Sequence, residues 1–291
     1  MPPFLALLAF LTAAGVTAEH VGIPTQDGTV LDAALVWPVG PATQPPVIAL
    51  HGCGGPFPSR DGSWAVTLSR QEHAVLLPDS FGSRSLASQC REARRSVTQT
   101  GKRRQDAITA AAWLRAQPGI GQGGIALIGW SNGGGTVLAT ARQAPDLPAG
   151  LFSRFTAFYP GCNASARDKA WQPAAPMMIL VGQADEWTPT EPCARLAARF
   201  PGLVTLVTYP GAYHDFDAPD MPIRVRTGLA TAPDGRAHVG TDERARRDAL
   251  SLVPAFLRAA PCRRRRHRAG PRGTGSFLPP AARATGRASP R

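Results

Sequence analysis

Six short apolar runs, separated by segments with helical patterning, constrain the fold of this chain most. The runs are almost continuously apolar, as is typical of parallel strands that are covered on both faces. Strands that alternate with helices predict an α/β fold with a doubly wound, mostly parallel sheet. The chain has 291 residues, a length that such folds often use as a single domain. The predicted strands cover residues 46–50, 74–77, 125–129, 155–159, 177–181 and 204–209.

Other segments complete the predicted fold. Apolar residues recur on one helical face in residues 102–117 and 242–260, and Pro254 is expected to kink the second helix. Residues 19–45 are predicted to form a leading antiparallel hairpin. Residues 215–241 have no clear period, and we expect a long irregular loop there, near the functional site.

The net charge of +12 is concentrated at one end of the chain. Residues 261–291 hold nine Arg and no Asp or Glu, so only three of the twelve net charges belong to the rest. A solvated, disordered extension accounts for such a tail, and contact with phosphates or anionic lipid is the alternative. We therefore expect no specific nucleic-acid partner.

The first residues resemble a secretory signal peptide. An apolar run at residues 4–11 precedes small residues that end at Ala18, the expected cleavage site. No Lys or Arg precedes the run, so a membrane anchor or a packed first strand is an alternative. The run is too short to span a bilayer comfortably, and no other segment is a candidate span. We expect a periplasmic or secreted protein, with residues 1–18 as the signal, 19–260 as one domain and 261–291 as a basic tail.

The five cysteines fit an oxidising compartment. No pair has the CxxC spacing of a zinc or redox site, so neither kind of site is predicted. Cys53 and Cys90 each follow a predicted strand closely, and Cys162 also follows a strand. We predict disulfides between Cys53 and Cys90 and between Cys162 and Cys193, with Cys262 unpaired. Five reduced, buried thiols are the alternative.

The segment GWSNG at 129–133 carries the strongest chemical signal. It follows a predicted strand and precedes a helix-like run to Ala144, which is the context of a nucleophile elbow. Side chains at its glycine positions would collide with neighbouring backbone in so sharp a turn. The serine hydroxyl would project from the sheet near the positive end of the helix. Ser131 is therefore the predicted nucleophile.

The segment HGCGG at 51–55 follows the strand predicted at 46–50. In a fold with a nucleophile elbow, one oxyanion donor comes from the loop after that strand and another from the residue after the nucleophile. We assign these donors to the backbone N–H groups of Cys53 and Asn132, which would stabilise the negative oxygen of an acyl-transfer intermediate. A glycine-rich turn without a ligand is the alternative.

A serine nucleophile needs a base, and a carboxylate must hold that base. Among the six histidines, His214 follows the last predicted strand and precedes the final helix. Asp185 follows the preceding strand, which gives the chain order Ser, Asp, His that this kind of site uses. Glu186 and Asp215 are rival carboxylates, one beside the predicted acid and one beside the predicted base.

With these residues assembled, the chain resembles the dienelactone hydrolase family, in the α/β-hydrolase superfamily, from about residue 25 to 260. The resemblance implies a small single-domain hydrolase that opens lactones or cleaves esters without a cofactor. Founding members are cytoplasmic and use a cysteine nucleophile, whereas this chain has Ser131 at that place. The segments that carry the resemblance are 51–55, 77–82, 129–133, 157–161, 182–189 and 209–216.

The family resemblance also implies a substrate carboxylate held by two arginines. Arg84 could match one of them. The second would lie just beyond the base, where this chain has Asp217 and Ala218. Arg224 or Arg226 on the following loop could replace it. The alternative for Arg84 is a surface arginine paired with a nearby acid.

The sequence thus predicts a serine hydrolase that cleaves a small-molecule ester or lactone through an acyl-serine intermediate. A peptidase is the enzymatic alternative, because the same triad serves both leaving groups. A binding protein on an inactive hydrolase scaffold is the non-enzymatic alternative. Such a protein has no need of a nucleophile, an acid, a base and an oxyanion loop together, which favours the enzyme.

Overall fold

The centre of the molecule, in this computed structural model, is an eight-stranded sheet. The structure describes residues 3–121 and 123–258. The strands are β1 (Ala18–Pro24), β2 (Val30–Val36), β3 (Val47–Leu50), β4 (Val75–Pro78), β5 (Ile125–Trp130), β6 (Phe152–Phe158), β7 (Met177–Gly182) and β8 (Val204–Tyr209). Their spatial order is β1-β2-β4-β3-β5-β6-β7-β8. Strands β3 to β8 run parallel, and β1 and β2 form an antiparallel hairpin at one edge. The predicted α/β fold with a mostly parallel sheet is confirmed.

Seven helices accompany the sheet within the described residues. They are α1 (Pro3–Ala13), α2 (Pro58–Ser69), α3 (Lys102–Arg115), α4 (Asn132–Ala141), α5 (Asn163–Arg167), α6 (Thr190–Ala198) and α7 (Glu243–Leu257). Apolar residues of α3, α4 and α6 pack in one layer, and those of α1, α2 and α7 pack in the other. The sheet is therefore covered on both faces, as its continuous apolar runs require.

Strand β3 illustrates this double burial. Its Ile48 and Leu50 side chains belong to the layer of α3, α4 and α6. Its Val47 and Ala49 side chains belong to the layer of α1, α2 and α7. All four residues are buried because alternate side chains of a strand point to opposite faces of the sheet.

The last helix begins where the sequence predicts. Asp242 caps α7, since its carboxylate accepts hydrogen bonds from the backbone N–H groups of Arg244 and Ala245. The helix continues through Pro254 and ends at Leu257. The end of the predicted helix at residues 259–260, the basic tail at 261–291 and Cys262 all lie outside the described residues.

The N-terminal segment folds as a helix against the domain. Phe4, Leu7 and Leu11 of α1 are buried in the layer that α1 shares with α2 and α7. Strand β1 begins at Ala18, so cleavage there would remove α1 and leave the hairpin in place. Export stays a prediction. None of the helices in the part of the chain that the structure describes is long and apolar enough to cross a membrane.

The segment 215–241 is not irregular throughout, and the sequence prediction was wrong there. It contains a two-stranded antiparallel sheet of β9 (Arg224–Thr227) and β10 (Arg236–Val239). Both strands are short and carry exposed arginines, so they show no apolar run. Ala237 and Val239 are nevertheless buried in a small cluster with Trp187.

The topology places a crevice at the carboxyl ends of β3 and β5. The chain passes from β3 to β4 on one side and then crosses to β5 on the other side of β3. Open α/β sheets bind ligands at such a reversal of strand order, outside the carboxyl ends of the strands. The segments 51–55 and 129–133 follow from these two ends and meet there.

Two disulfides link connections around this crevice. Cys53 pairs with Cys90, and Cys162 pairs with Cys193. The first joins the loop after β3 to the connection between β4 and α3, and the second joins the segment after β6 to α6. These are the pairs that the sequence predicts, and paired cysteines are typical of proteins in oxidising compartments.

Candidate active site

Ser131 lies in a sharp turn between β5 and α4. Its φ of +52° is rare for a residue other than glycine, and such backbone strain is concentrated at functional sites. A Cβ atom at Gly133 would lie 2.1 Å from the carbonyl oxygen of Leu50, and one at Gly129 would lie 2.6 Å from the Gly133 carbonyl oxygen. Gly133 therefore allows the turn to pack directly on the end of β3, and Gly129 allows the strand and the helix to approach each other within the turn.

His214 and Asp185 form a buried pair beside this turn. The Nδ1 atom of His214 donates a hydrogen bond to Oδ2 of Asp185 at 2.7 Å. The other carboxylate oxygen accepts the backbone N–H groups of Trp187 at 2.8 Å and Thr188 at 2.9 Å. The Thr188 hydroxyl also donates to Oδ2 at 2.7 Å. The carboxylate is thus fixed on both oxygens and oriented toward the imidazole.

The second ring nitrogen of His214 is available. Its Nε2 atom has no hydrogen-bond partner among residues 3–121 and 123–258. His214 and Ser131 line the same cavity, of about 290 Å³. The imidazole packs against the rings of Tyr159 and Trp187, with centroids 4.4 Å and 4.6 Å away. The packing holds the ring in place while one nitrogen stays free for proton transfer.

In this pair His214 acts as the base and Asp185 supplies the negative charge beside it. Burial by itself would lower the pKa of His214, but the charge of Asp185 and its hydrogen bond raise that pKa above the ordinary value. Burial by itself would raise the pKa of Asp185, but the charge of His214 and the hydrogen bonds from His214 and Thr188 hold it below the ordinary value. The carboxylate stays ionised and makes the imidazole a stronger base.

The rival carboxylates have other partners. Glu186 accepts hydrogen bonds from the backbone N–H and from Nδ1 of His238, both at 2.8 Å. Asp215 accepts a hydrogen bond from the buried guanidinium of Arg60 at 3.1 Å. Asp185 is the one carboxylate of the three that hydrogen-bonds the His214 ring.

The two assigned oxyanion donors belong to residues that border Ser131. Cys53, Ser131 and Asn132 line a second cavity of about 270 Å³. The backbone N–H of Cys53 makes no hydrogen bond within the described part of the chain. Asn132 is the first residue of α4, where a backbone N–H has no acceptor in its own helix. Both groups are thus free to donate to an oxygen bound beside Ser131.

Arg84 does not line either cavity that contains Ser131. Its two terminal nitrogens donate to the two carboxylate oxygens of Asp106 at 2.9 Å and 2.8 Å. This geometry favours the alternative that the sequence left open, an arginine paired with an acid. Arg224 and Arg226, by contrast, both line the cavity that contains Ser131 and His214.

Sequence reasoning missed Arg60, Trp187 and Thr188. Arg60 lies on α2 and reaches the cavity, and no local pattern marks it. Trp187 and Thr188 hold Asp185 through backbone N–H groups two and three residues further on. That pattern is an Asx-type turn, which a polar residue after an aspartate can signal.

A model of one hydrolase family matches most of the chain. The dienelactone hydrolase family aligns with residues 31–260. The chain belongs to this family. Its members are hydrolases by name, and the site just described lies wholly within the matched residues. No curated protein matches the chain.

Solved structures share the fold of this dienelactone hydrolase family member at low sequence identity. A Klebsiella pneumoniae protein described as a dienelactone hydrolase has a TM-score of 0.63 and 17% identity, over 84% of this chain and 99% of that chain. An esterase from Pyrobaculum calidifontis has a TM-score of 0.60 and 18% identity, over 88% and 90%. A dienelactone hydrolase-like promiscuous phosphotriesterase from metagenomic libraries has a TM-score of 0.59 and 19% identity, over 83% and 97%.

Proposed function

We propose that the protein hydrolyses carboxylic esters or lactones through an acyl-serine intermediate. The observation that carries the proposal is the His214–Asp185 pair. Asp185 binds Nδ1 of His214, the Nε2 atom of His214 has no partner among the described residues, and His214 shares a cavity with Ser131. Ser131, Asp185 and His214 would be its catalytic residues. The strained backbone at Ser131 supports the assignment, because such strain holds a nucleophile in an exposed turn.

The first half of the reaction transfers the acyl group. The Ser131 hydroxyl oxygen attacks the carbonyl carbon while its proton passes to Nε2 of His214. The carbonyl oxygen becomes an oxyanion, which accepts hydrogen bonds from the N–H groups of Cys53 and Asn132. The intermediate then collapses to the acyl-serine, and the imidazolium returns the proton to the departing alkoxide. Asp185 stabilises the imidazolium during these steps.

The second half releases the acid. Water in the cavity loses a proton to His214 and attacks the acyl carbon. The second oxyanion that forms accepts hydrogen bonds from the same two N–H donors. The bond to the Ser131 oxygen breaks, and the proton held by His214 returns to that oxygen. For a lactone, the alcohol and the acid belong to one opened product. No cofactor takes part in these steps.

The cavity beside His214 is basic. Among the described residues that line it, the only acid is Asp215, which Arg60 already binds. Arg224 has no carboxylate within ion-pair distance in the described residues. Arg226 stacks over the ring of Trp187, and its nearest carboxylate oxygen, Oδ2 of Asp215, lies 4.0 Å away. We propose that these two arginines receive a carboxylate of the substrate, in place of Arg84.

Export to the periplasm or the outside of the cell is part of the proposal. Its support is the pair of disulfides together with the apolar N-terminal run that ends in small residues. The assignment of residues 261–291 as a basic tail stays a prediction.

Hydrolysis of a panel of p-nitrophenyl esters and small lactones tests the proposed function. The wild-type protein is expected to turn over at least one member, and Ser131→Ala to lose about 10³-fold or more in kcat while it stays folded. Circular dichroism supplies the folding control. Esterase activity in Ser131→Ala equal to that of wild type would exclude the assigned nucleophile.

A further inference from the structure

We propose that Arg103 is a positioning residue that holds the two backbone donors of the oxyanion hole in register. The inference rests on the proposed function, because it assigns the task of Arg103 to the oxyanion donors Cys53 and Asn132. Arg103 itself touches neither the substrate nor the reacting atoms. It acts through the two segments that carry the donors.

Arg103 joins those two segments directly. It lies at the start of α3, and only 1 % of its surface is exposed. One terminal nitrogen donates to Oδ1 of Asn132 at 2.5 Å, and the other donates to the carbonyl oxygen of His51 at 2.8 Å. Asn132 supplies one assigned donor, and His51 begins the loop that supplies the other. A single planar guanidinium therefore spans the elbow and the oxyanion loop, with the fixed fork geometry that arginine provides.

His51 carries this restraint forward to Cys53. Its Nδ1 atom donates to the carbonyl oxygen of Gly52 at 2.8 Å, and its Nε2 atom accepts the backbone N–H of Ser80 at 3.2 Å. The ring is neutral, since burial lowers the pKa of His51 well below its ordinary value. In a planar trans peptide the carbonyl and the following N–H point in opposite directions. A fixed Gly52 carbonyl therefore fixes the direction of the Cys53 N–H.

The hydrogen bonds of Arg103 go to neutral acceptors, which is unusual for a buried cation. No carboxylate lies within ion-pair distance of its guanidinium in residues 3–121 and 123–258, although Asp106 and Asp79 are close enough to act on its charge. Burial lowers the pKa of Arg103 to about 10, so it stays charged at neutral pH. A buried cation without a paired carboxylate is costly. The hydrogen bonds from Arg103 to both donor segments give this buried charge a function.

Arg84, in the connection between β4 and α3, provides a matched control because it binds the same helix. Its guanidinium is largely buried and binds Asp106 of α3 through both carboxylate oxygens. Within the described residues it makes no hydrogen bond to His51 or Asn132. Loss of Arg84 removes a buried arginine from the α3 interface, as loss of Arg103 does, but leaves the two oxyanion segments joined.

The experiment compares an ordinary ester with its thiono analogue, in which sulfur replaces the carbonyl oxygen. Sulfur is the weaker hydrogen-bond acceptor, so hydrogen bonds from the oxyanion donors stabilise the transition state of the thiono ester less. For Arg103→Met we expect kcat on the oxygen ester to fall about 10- to 100-fold, with KM changed about 3-fold or less. We expect kcat on the thiono ester to fall far less, so that the ratio of kcat on the oxygen ester to kcat on the thiono ester decreases. Arg103→Lys, which keeps the charge but not the fork, should lie between wild type and Arg103→Met.

A second variant addresses the contact from its other end. Asn132→Ala removes the acceptor of the Arg103 hydrogen bond but keeps the backbone N–H of residue 132. Its ratio of kcat on the oxygen ester to kcat on the thiono ester should shift in the same direction as that of Arg103→Met. The double variant should lose less kcat on the oxygen ester than the two single losses combined. Asn132→Ala and Arg103→Lys carry the test if Arg103→Met does not fold.

The outcomes are distinct. Equal losses on the two esters, an unchanged ratio, or the same shift in Arg84→Met would overturn the role of Arg103. Wild-type protein that hydrolyses neither ester, or activity that survives in Ser131→Ala, would overturn the proposed function instead.

Discussion

At the scale of single residues, the site depends on how Asp185 changes the chemistry of His214. The imidazole is buried between aromatic rings, an environment that disfavours its charged form. The charge of Asp185 outweighs this effect, so the pKa of His214 lies above its ordinary value. The carboxylate in turn is held by Thr188 and by backbone N–H groups, which keep it ionised and oriented.

This pair predicts the pH dependence of the reaction. His214 must be neutral to accept the proton of Ser131, so kcat/KM falls as pH drops through the pKa of the free protein. Because that pKa is raised, the midpoint of the acid limb should lie above the ordinary histidine value of 6.5. Asp185→Asn should move the limb to lower pH and reduce kcat at high pH about 10³- to 10⁴-fold.

The adjacent carboxylate supplies the control for this measurement. Glu186 binds His238 and not the base, so Glu186→Gln should keep the wild-type midpoint. The profile should be recorded on a substrate for which formation of the acyl-serine limits the rate. An acid limb that Asp185→Asn leaves in place would show that another group titrates.

At the scale of elements, the strand pair β9 and β10 forms one side of the site. Arg224 and Arg226 of β9 line the cavity, and Arg226 packs on Trp187, which follows the acid by two residues. The strand pair also meets the base, since the backbone N–H of Gly240 donates to the carbonyl oxygen of His214 at 3.0 Å. The element thus joins substrate-facing arginines to the loops of the acid and the base.

A charge preference of the substrate follows from this element. Arg226→Gln and Arg224→Gln should reduce kcat/KM for a p-nitrophenyl ester with a terminal carboxylate by about 10-fold or more, the value of a hydrogen bond to a charged group. A neutral ester of the same length should lose about 2-fold or less, because it makes no such bond. Steady-state kinetics at low and high salt measure both effects.

Arg236 on β10 offers the comparison, because it lies on the same strand pair but outside the cavity of Ser131. Arg236→Gln should hydrolyse both esters with the kcat/KM of the wild-type protein. Parallel losses on the neutral and the anionic ester would assign Arg224 and Arg226 to the stability of the strand pair rather than to the substrate.

The same elements show what sequence patterns can predict. Runs that are buried on both faces, such as β5 and β7, are visible because burial demands apolar residues at every position. Strands β9 and β10 are not visible, because they are exposed on one side and pack through residues distant in sequence. The local sequence around Arg84 and around Arg103 does not show which group each guanidinium binds. Only the tertiary structure shows that the first binds Asp106 and the second binds Asn132.

At the scale of the whole molecule, the fold brings four separated segments to one edge of the sheet. Parallel strands end at the same edge, so the loops after β3, β5, β7 and β8 meet there. The order of the motifs along the chain therefore predicts that Ser131, Asp185 and His214 come together. It does not predict which neighbours hold them, because Arg60 and Arg103 reach the site from helices with no sequence signal of their own.

The location of a covalent adduct is the sharpest test of Ser131 as the nucleophile. Wild-type protein is treated with a fluorophosphonate, digested with trypsin and mapped by mass spectrometry. We expect one adduct, on Ser131 in the tryptic peptide 116–142, with labelling much slower in His214→Ala and absent in Ser131→Ala. An adduct on another residue, or labelling of Ser131→Ala at the wild-type rate, would contradict it.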